Sequence, residues 1–256
     1  MQAPDELRAL VEQELADLSL TASLGGLAEV MRYGLTGGGK RIRPVLCLAT
    51  AEASGGRVED ALPAAVALEL VHTFSLVHDD LPSMDDDDER RGRPSAHVAY
   101  GEGAALLAGD ALLAEGLRLA LSYDRPEPAR ELAEATLGMI AGQYLDVTGA
   151  PVELAALHRL KTGRLFAAAV GLGLWAAAVP AVDQQPWRAF GEELGVLFQA
   201  MDDVIDGDGY AAELGESAAR EVAAAAARRS HERLEAIDAD TSVLTELVDG
   251  LAVRTA

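Results

Sequence analysis

The sequence predicts an all-α fold: a single domain over residues 1–256, built as one large helical bundle of about ten helices with a central apolar cavity. Three observations predict it. Apolar residues recur at three- and four-residue spacings along most of the chain, which puts them on one face of a helix. Alternating, β-branched segments bounded by turns are absent, and with them the pattern of strands. Gly and Pro clusters separate the periodic segments, and 256 residues can enclose a substantial core without a linker.

The first helical segment is 5–17, where Leu7, Leu10, Val11 and Leu15 share a face. Further segments are expected at 26–34, 42–53, 60–80, 103–122, 128–148, 153–178, 186–205, 211–235 and 241–253. Gly37–Gly39, Gly55–Gly56, Gly92 with Pro94, Asp124–Pro128, Gly149 with Pro151, and Pro180–Pro186 punctuate them. Segments 103–122 and 165–178 are apolar nearly all round, so a central layer is expected with other helices around it. The stretch 165–182 is long enough to raise the question of a membrane span. Its Ala and Gly content, Pro180 and the preceding Arg164 favour a buried helix instead. The acidic N-terminus lacks the basic and apolar regions of a signal peptide. No transmembrane segment and a cytoplasmic location are therefore expected. A single cysteine, Cys47, excludes an intramolecular disulfide framework and suits a reducing compartment.

The formal charge is −21, which argues against nucleic acid as a partner because a phosphate backbone needs a basic face. Of 21 basic residues only Lys40 and Lys161 are lysines, and both lie in glycine-containing sequences, GGGK and KTG.

Seven acidic residues crowd into 79–89, directly after the apolar run LELVHTFSLVH. Most charge runs are solvated helix faces. This one begins where a core helix emerges, and carboxylates concentrated there repel one another unless a divalent cation screens them. Hard cations such as Mg²⁺ take oxygen ligands and bridge carboxylates to phosphates. On a straight helix Asp79 and Asp85 would be about 240° apart. Pro82 breaks that geometry, so the helix is expected to end near 80–82 and the chain to bend back. A second cluster, FQAMDDVIDGD, comes after another apolar run. There Asp206 lies about 40° from Asp202 and about 60° from Asp203 around the helix, so the carboxylates share a face, with Gln199 one turn earlier.

Metal-bound phosphate would need cations on its other flanks. The candidates are Lys40, Arg41 and Arg43 in GGGKRIRP, the pair Arg90–Arg91, and Lys161 with Thr162. A nucleotide P-loop is excluded, since GxxxxGK[ST] and its preceding strand are both missing.

Together GGGKRIRPVL, ELVHTFSLVHDDLPSMDDDDERRGRPSAH, GDALL, IAGQYLD, LHRLKTGRLF and LFQAMDDVID resemble, in order, the trans-isoprenyl diphosphate synthases. The first aspartate motif resembles the bacterial and plant form. The resemblance implies a homodimer and three Mg²⁺ held between the motifs. Asp79, Asp85 and Asp202 would be principal ligands, with Asp80, Asp203 and Asp206 supporting. Asp79, Asp80, Asp85, Lys161 and Asp202 would form the catalytic set. Lys40, Arg43, His72 and Arg91 would hold isopentenyl diphosphate. Arg90, Lys161 and Thr162 would hold an allylic diphosphate, with Gln199 nearby. Phe74 would be the floor of the chain-elongation pocket, with Ser75 beside it beneath Asp79, which implies farnesyl diphosphate as product and geranylgeranyl diphosphate as the alternative.

The resemblance breaks after Asp206. Family members carry there a glycine-containing loop with a Lys and a Lys-x-Thr, whereas this chain runs through Gly207–Tyr210 into AAELGESAAREVA. Three readings compete: the loop is deleted, a mobile lid is omitted from this sequence, or part of the catalysis is lost, with an omitted mobile lid slightly favoured. A class I terpene cyclase is an alternative, disfavoured by GGGKRIR and the second DDxxD. A regulatory, non-catalytic subunit is another, opposed by the six aspartates and favoured by the missing lysines.

Overall fold

The computed structural model describes residues 1–253. Its helices are α1 (Pro4–Asp17), α2 (Leu27–Leu35), α3 (Ile42–Ala53), α4 (Val58–Asp79), α5 (Ala96–Tyr100), α6 (Glu102–Ala120) and α7 (Glu127–Thr148). They continue as α8 (Leu154–His158), α9 (Arg164–Ala176), α10 (Gln185–Asp206), α11 (Gly209–Leu214), α12 (Glu216–Glu235) and α13 (Ser242–Ala252). The expected all-α fold is what forms. Its one strand pair among the described residues is a two-residue antiparallel ladder, β1 (Glu89–Arg90) with β2 (Arg93–Pro94). Arg91 and Gly92 join them with φ of 55° and 74°. Two positive-φ residues in a two-residue loop match the right-handed twist of a hairpin.

The centre is α4, apolar on nearly every side and buried from Val58 to Val77 at most positions. It packs against α3, α6 and α9, while α10 joins α9 to α12 on the other side. Small residues set these distances. A Cβ on Gly116 of α6 would lie 3.1 Å from the Ala67 carbonyl oxygen of α4. A Cβ on Gly173 of α9 would lie 2.4 Å from that of Cys47 on α3. The membrane-like stretch therefore supplies a core helix whose glycine admits a neighbouring backbone. The helix that is long and apolar enough to span a bilayer is α4, and most of it is buried inside the fold.

Two segments are finer than their periodicity suggested. The run 211–235 is cut at Gly215, where φ is +87°, into α11 and α12. The run 153–178 is interrupted at Arg159–Gly163 by one π-helical turn between α8 and α9. Gly207, in the left-handed conformation, and Asp208 make the whole connection from α10 to α11.

Candidate active site

The helix α4 ends at Asp79, one residue before the expected 80–82. Beyond it Leu81 donates its N–H to the His78 carbonyl, and Asp85 donates its own to the Asp79 carbonyl at 2.8 Å. That bond folds the chain back, so Asp85 returns beside Asp79 although the two could not share a straight helix. The second motif needs no such reversal, because α10 runs unbroken through Asp202, Asp203 and Asp206.

The ends of α4, α7 and α10 and the π-turn enclose a cavity of about 990 Å³. Its polar wall includes Asp79, Asp202, Asp203, Asp208, Lys161, Thr162 and Gln199; its apolar wall includes Phe74, Met139, Ile140, Leu157 and Phe198. A second cavity of about 460 Å³ lies at the start of α3. Lys40, Arg43, His72 and Arg91, the four residues grouped by the family resemblance, all line it, together with Arg8 and Glu69. The two cavities share Arg43, His72 and Phe198. One cavity is carboxylate-rich at its mouth and apolar in depth; the other is cationic.

Burial pushes the Asp79 carboxyl up to about 7, against the pull of Lys161 and with Asp85 adding to the rise. Burial also raises Asp85 and Asp208, and the other second-motif carboxylates add to the rise at Asp208. His72 is held well below its usual range by burial and by Arg43, Arg91, Arg41 and Arg90. It is therefore neutral, and its Nε2, 3.3 Å from Arg43, accepts because a guanidinium can only donate. Burial lowers Arg43 to about 10, which leaves it charged, and its guanidinium lies 4.6 Å from the centre of the Phe166 ring. Arg43 Nε is buried with no protein partner.

The glycines of GGGK serve packing as much as ligand approach. Arg91 donates to the Gly38 carbonyl, and a Cβ on Gly39 would sit 2.9 Å from the Arg91 guanidinium. Arg41 also lines the cationic cavity, but its guanidinium is taken up in a buried ion pair with Glu69 and bonds Glu12 as well. Lys161 pairs with Asp146, and Thr162 donates to Gln199 at 2.6 Å. Gly142 makes room for this turn, since a Cβ there would meet the Lys161 nitrogen at 2.5 Å.

Other expected site residues lie elsewhere. Asp80 is 3% exposed and accepts from Arg90, which also reaches Asp87 at 3.1 Å. Asp80, Arg90 and Arg91 line a water-sized cleft beside Tyr33. Asp206 is exposed at the end of α10, and neither it nor Asp85 or Arg90 is part of the large cavity's wall. Asp203, although in the large cavity's wall, is buried with both oxygens engaged: Gln199 Nε2 donates at 2.6 Å and the Tyr210 N–H at 2.8 Å.

Among the described residues no three His, Cys, Asp or Glu side chains converge as a ready-made metal cage. The carboxylates in the cavity wall offer oxygen donors, and burial, with Asp85 adding to it, has already raised Asp79. That suits Mg²⁺, which binds through one or two carboxylates and completes its shell with water and substrate phosphate.

Four site residues escaped the sequence reading. Gln143 lies in the cavity wall with both polar atoms buried and unpartnered by protein, the state of a side chain that meets a ligand. Asp146 holds Lys161, His158 faces Asp203 at 3.7 Å, and Arg8 reaches the cationic cavity from α1. Gln143 and Asp146 stand in IAGQYLD, where two polar residues interrupt an apolar helical face, and that signal was available.

Residues 25–226 match the family pattern of polyprenyl synthetase. The chain belongs to that family. It is 42% identical over 215 residues to the large subunit 1 of a heterodimeric geranylgeranyl pyrophosphate synthase of Arabidopsis thaliana, covering 77% of this chain and 58% of that protein. It is 39% identical over 204 residues to a farnesyl diphosphate synthase of Bacillus subtilis, covering 74% of this chain and 69% of that one. Among solved structures, a geranylgeranyl pyrophosphate synthase superposes over the full length of both chains with a TM-score of 0.90 at 25% identity. A geranyltranstransferase from Thermotoga maritima gives 0.85 at 30% identity over 97% of this chain and 96% of its own.

Proposed function

We propose that this protein condenses isopentenyl diphosphate with an allylic diphosphate, dimethylallyl or geranyl, to give a short trans-prenyl diphosphate. The observation that carries the reading is the pair of abutting cavities, one carboxylate-mouthed and apolar, one cationic, divided by Arg43, His72 and Phe198. Two substrates with like-charged heads and apolar tails need such a division. In this reading Lys40, Arg43, His72 and Arg91 hold isopentenyl diphosphate. Neutral His72 can donate to or accept from it without adding charge. Lys161, Thr162 and Gln199 border the allylic diphosphate.

Asp79, Asp85 and Asp202 would hold Mg²⁺, with Asp80, Asp203 and Asp206 in support. When bound, Mg²⁺ supplies stabilisation of the negative charge that grows on the departing diphosphate. Lys161, fixed by Asp146, keeps a further positive charge at the mouth. As diphosphate leaves the allylic carbon, the isopentenyl double bond attacks that carbon, and the proton then lost passes to the released diphosphate. The apolar wall excludes water that would quench the cation.

Phe74 is 7% exposed and lines the cavity five residues before Asp79, with Ser75 alongside. A bulky ring there supports farnesyl diphosphate as the product. The names of the Arabidopsis relatives support geranylgeranyl diphosphate as the second reading. Association as a homodimer belongs to the same reading. It is supported by Leu106 and Leu107 of α6 and Leu137, Ile140, Tyr144 and Val147 of α7, all exposed and apolar. A cytoplasmic site of action is likewise part of it, consistent with one buried, unpaired Cys47.

The test is incubation with Mg²⁺, labelled isopentenyl diphosphate and dimethylallyl, geranyl or farnesyl diphosphate, followed by measurement of product length. Failure to incorporate label with any primer sinks the reading, and cyclised hydrocarbon without isopentenyl uptake favours a terpene cyclase. Light scattering of the purified protein checks the dimer.

A further inference from the structure

Phe74 does not stand alone in the cavity wall. One turn along α4, His78 also lines it, and the two rings meet edge to face with centroids 4.9 Å apart and planes inclined by 75°. Such a pair contributes more than its buried area alone. His78 is itself fixed from the other side. Its Nε2 lies 2.9 Å from the Leu106 carbonyl oxygen of α6. A carbonyl only accepts, so Nε2 carries the proton and the tautomer is set by that bond.

The ring has room there because residue 109 is glycine. A Cβ at Gly109 would stand 2.2 Å from both Cδ2 and Nε2 of His78. Helix propensity alone disfavours glycine in the middle of α6. Its presence is explained by the Cδ2–Nε2 edge of the imidazole pressed against the helix backbone. Leu106, Gly109 and His78 thus form a seat, and Phe74 leans on it.

We propose that His78 is a specificity-determining positioning residue. Seated on Gly109 and bonded to the Leu106 carbonyl, it braces Phe74 at the cavity wall, so that product length depends on this α4–α6 contact as well as on Phe74. The inference rests on the prenyl-elongating reading proposed for the site. His78 acts through Phe74 and need not touch either diphosphate.

The test compares wild type, Phe74→Ala, His78→Ala and Gly109→Ala in one product-length assay. Loss of the ring pair in His78→Ala should raise the ratio of longer to shorter product about fivefold. Gly109→Ala, which keeps the imidazole but displaces it, should shift the ratio the same way, and Phe74→Ala should shift it further. A general loss of packing would slow turnover and leave the ratio where it was. An unchanged ratio in His78→Ala, with Phe74→Ala lengthening the product, overturns the brace. Absence of any product from wild type overturns the function and the specificity role together. Nitrogen-15 NMR of the wild-type imidazole decides the seat independently of turnover: the Nε2–H tautomer supports it, and an unprotonated Nε2 overturns it.

Discussion

The two aspartate motifs reach the same cavity by opposite routes. The first is assembled by breaking a helix: Pro82 comes just after the end of α4, and the Asp85 N–H bond to the Asp79 carbonyl brings the chain back on itself. The second is assembled by keeping a helix, since α10 runs without interruption through Asp202, Asp203 and Asp206. The first motif spends one carboxylate, Asp80, on holding Arg90; the second spends Asp203 on holding Gln199 and the start of α11. Each motif therefore divides its aspartates between facing the cavity and fixing the backbone that presents them. A run of identical residues is not a run of identical roles.

The largest effect should come from the cavity-facing member of each motif. Asp79→Asn and Asp202→Asn are each expected to lower kcat about 10²–10³-fold, as removing a charge-stabilising contact does. Steady-state kinetics at saturating Mg²⁺ checks this, and a loss below tenfold in one of them would break the equivalence of the two motifs. Next comes Asp203→Ala, which removes the acceptor of the part-buried Tyr210 N–H and of the Gln199 amide and should cost about 1–3 kcal/mol in urea denaturation. Asp85→Ala, at an exposed position, should leave the denaturation midpoint almost unmoved.

Gly209→Ala sharpens the comparison further. This glycine has φ of +43°, and a Cβ would stand 2.3 Å from Asp203 Oδ2. The left-handed conformation alone should cost about 1–2 kcal/mol, seen as a lowered Tm. The smallest effect is one of pH. The Asp79 carboxyl is raised to about 7, above the ordinary carboxylate range, so between the two values the folded state binds the extra proton. Its contribution is complete below the ordinary range and is lost as pH rises through about 7. Without divalent cations, Tm should fall by a few degrees across that window. The fall should flatten in Asp79→Asn, and Mg²⁺ should reverse it at the alkaline end.

Much of this was legible in the residue pattern. Helix spacing placed the elements, Pro82 announced the reversal, and the four residues assigned to isopentenyl diphosphate do line one cavity. Legibility failed where the cause is contact across the fold. Arg41 stands among cationic candidates in GGGKRIRP, but its destination depends on Glu69, 28 positions away. The difference between Asp202 and Asp203 arises from the Tyr210 amide, which arrives only because the connector after Asp206 is so short. Gly109 carries no signal of its own until His78 is seen against it. Gly92 with Pro94 marked a break but not a hairpin, because two residues are too few for periodicity to register as strands.

The π-turn at Arg159–Gly163 has a consequence for how this site tolerates change in length rather than in side chain. A π-turn is a helix carrying one residue too many. Deleting any one of those five residues would let α8 and α9 join as a continuous α-helix, rotating the segment before the deletion by about 100° relative to the segment after it. Lys161 would lose its place beside Asp146, or Thr162 its place beside Gln199, with every remaining side chain unaltered. For this segment the reading frame of the helix is itself a functional property.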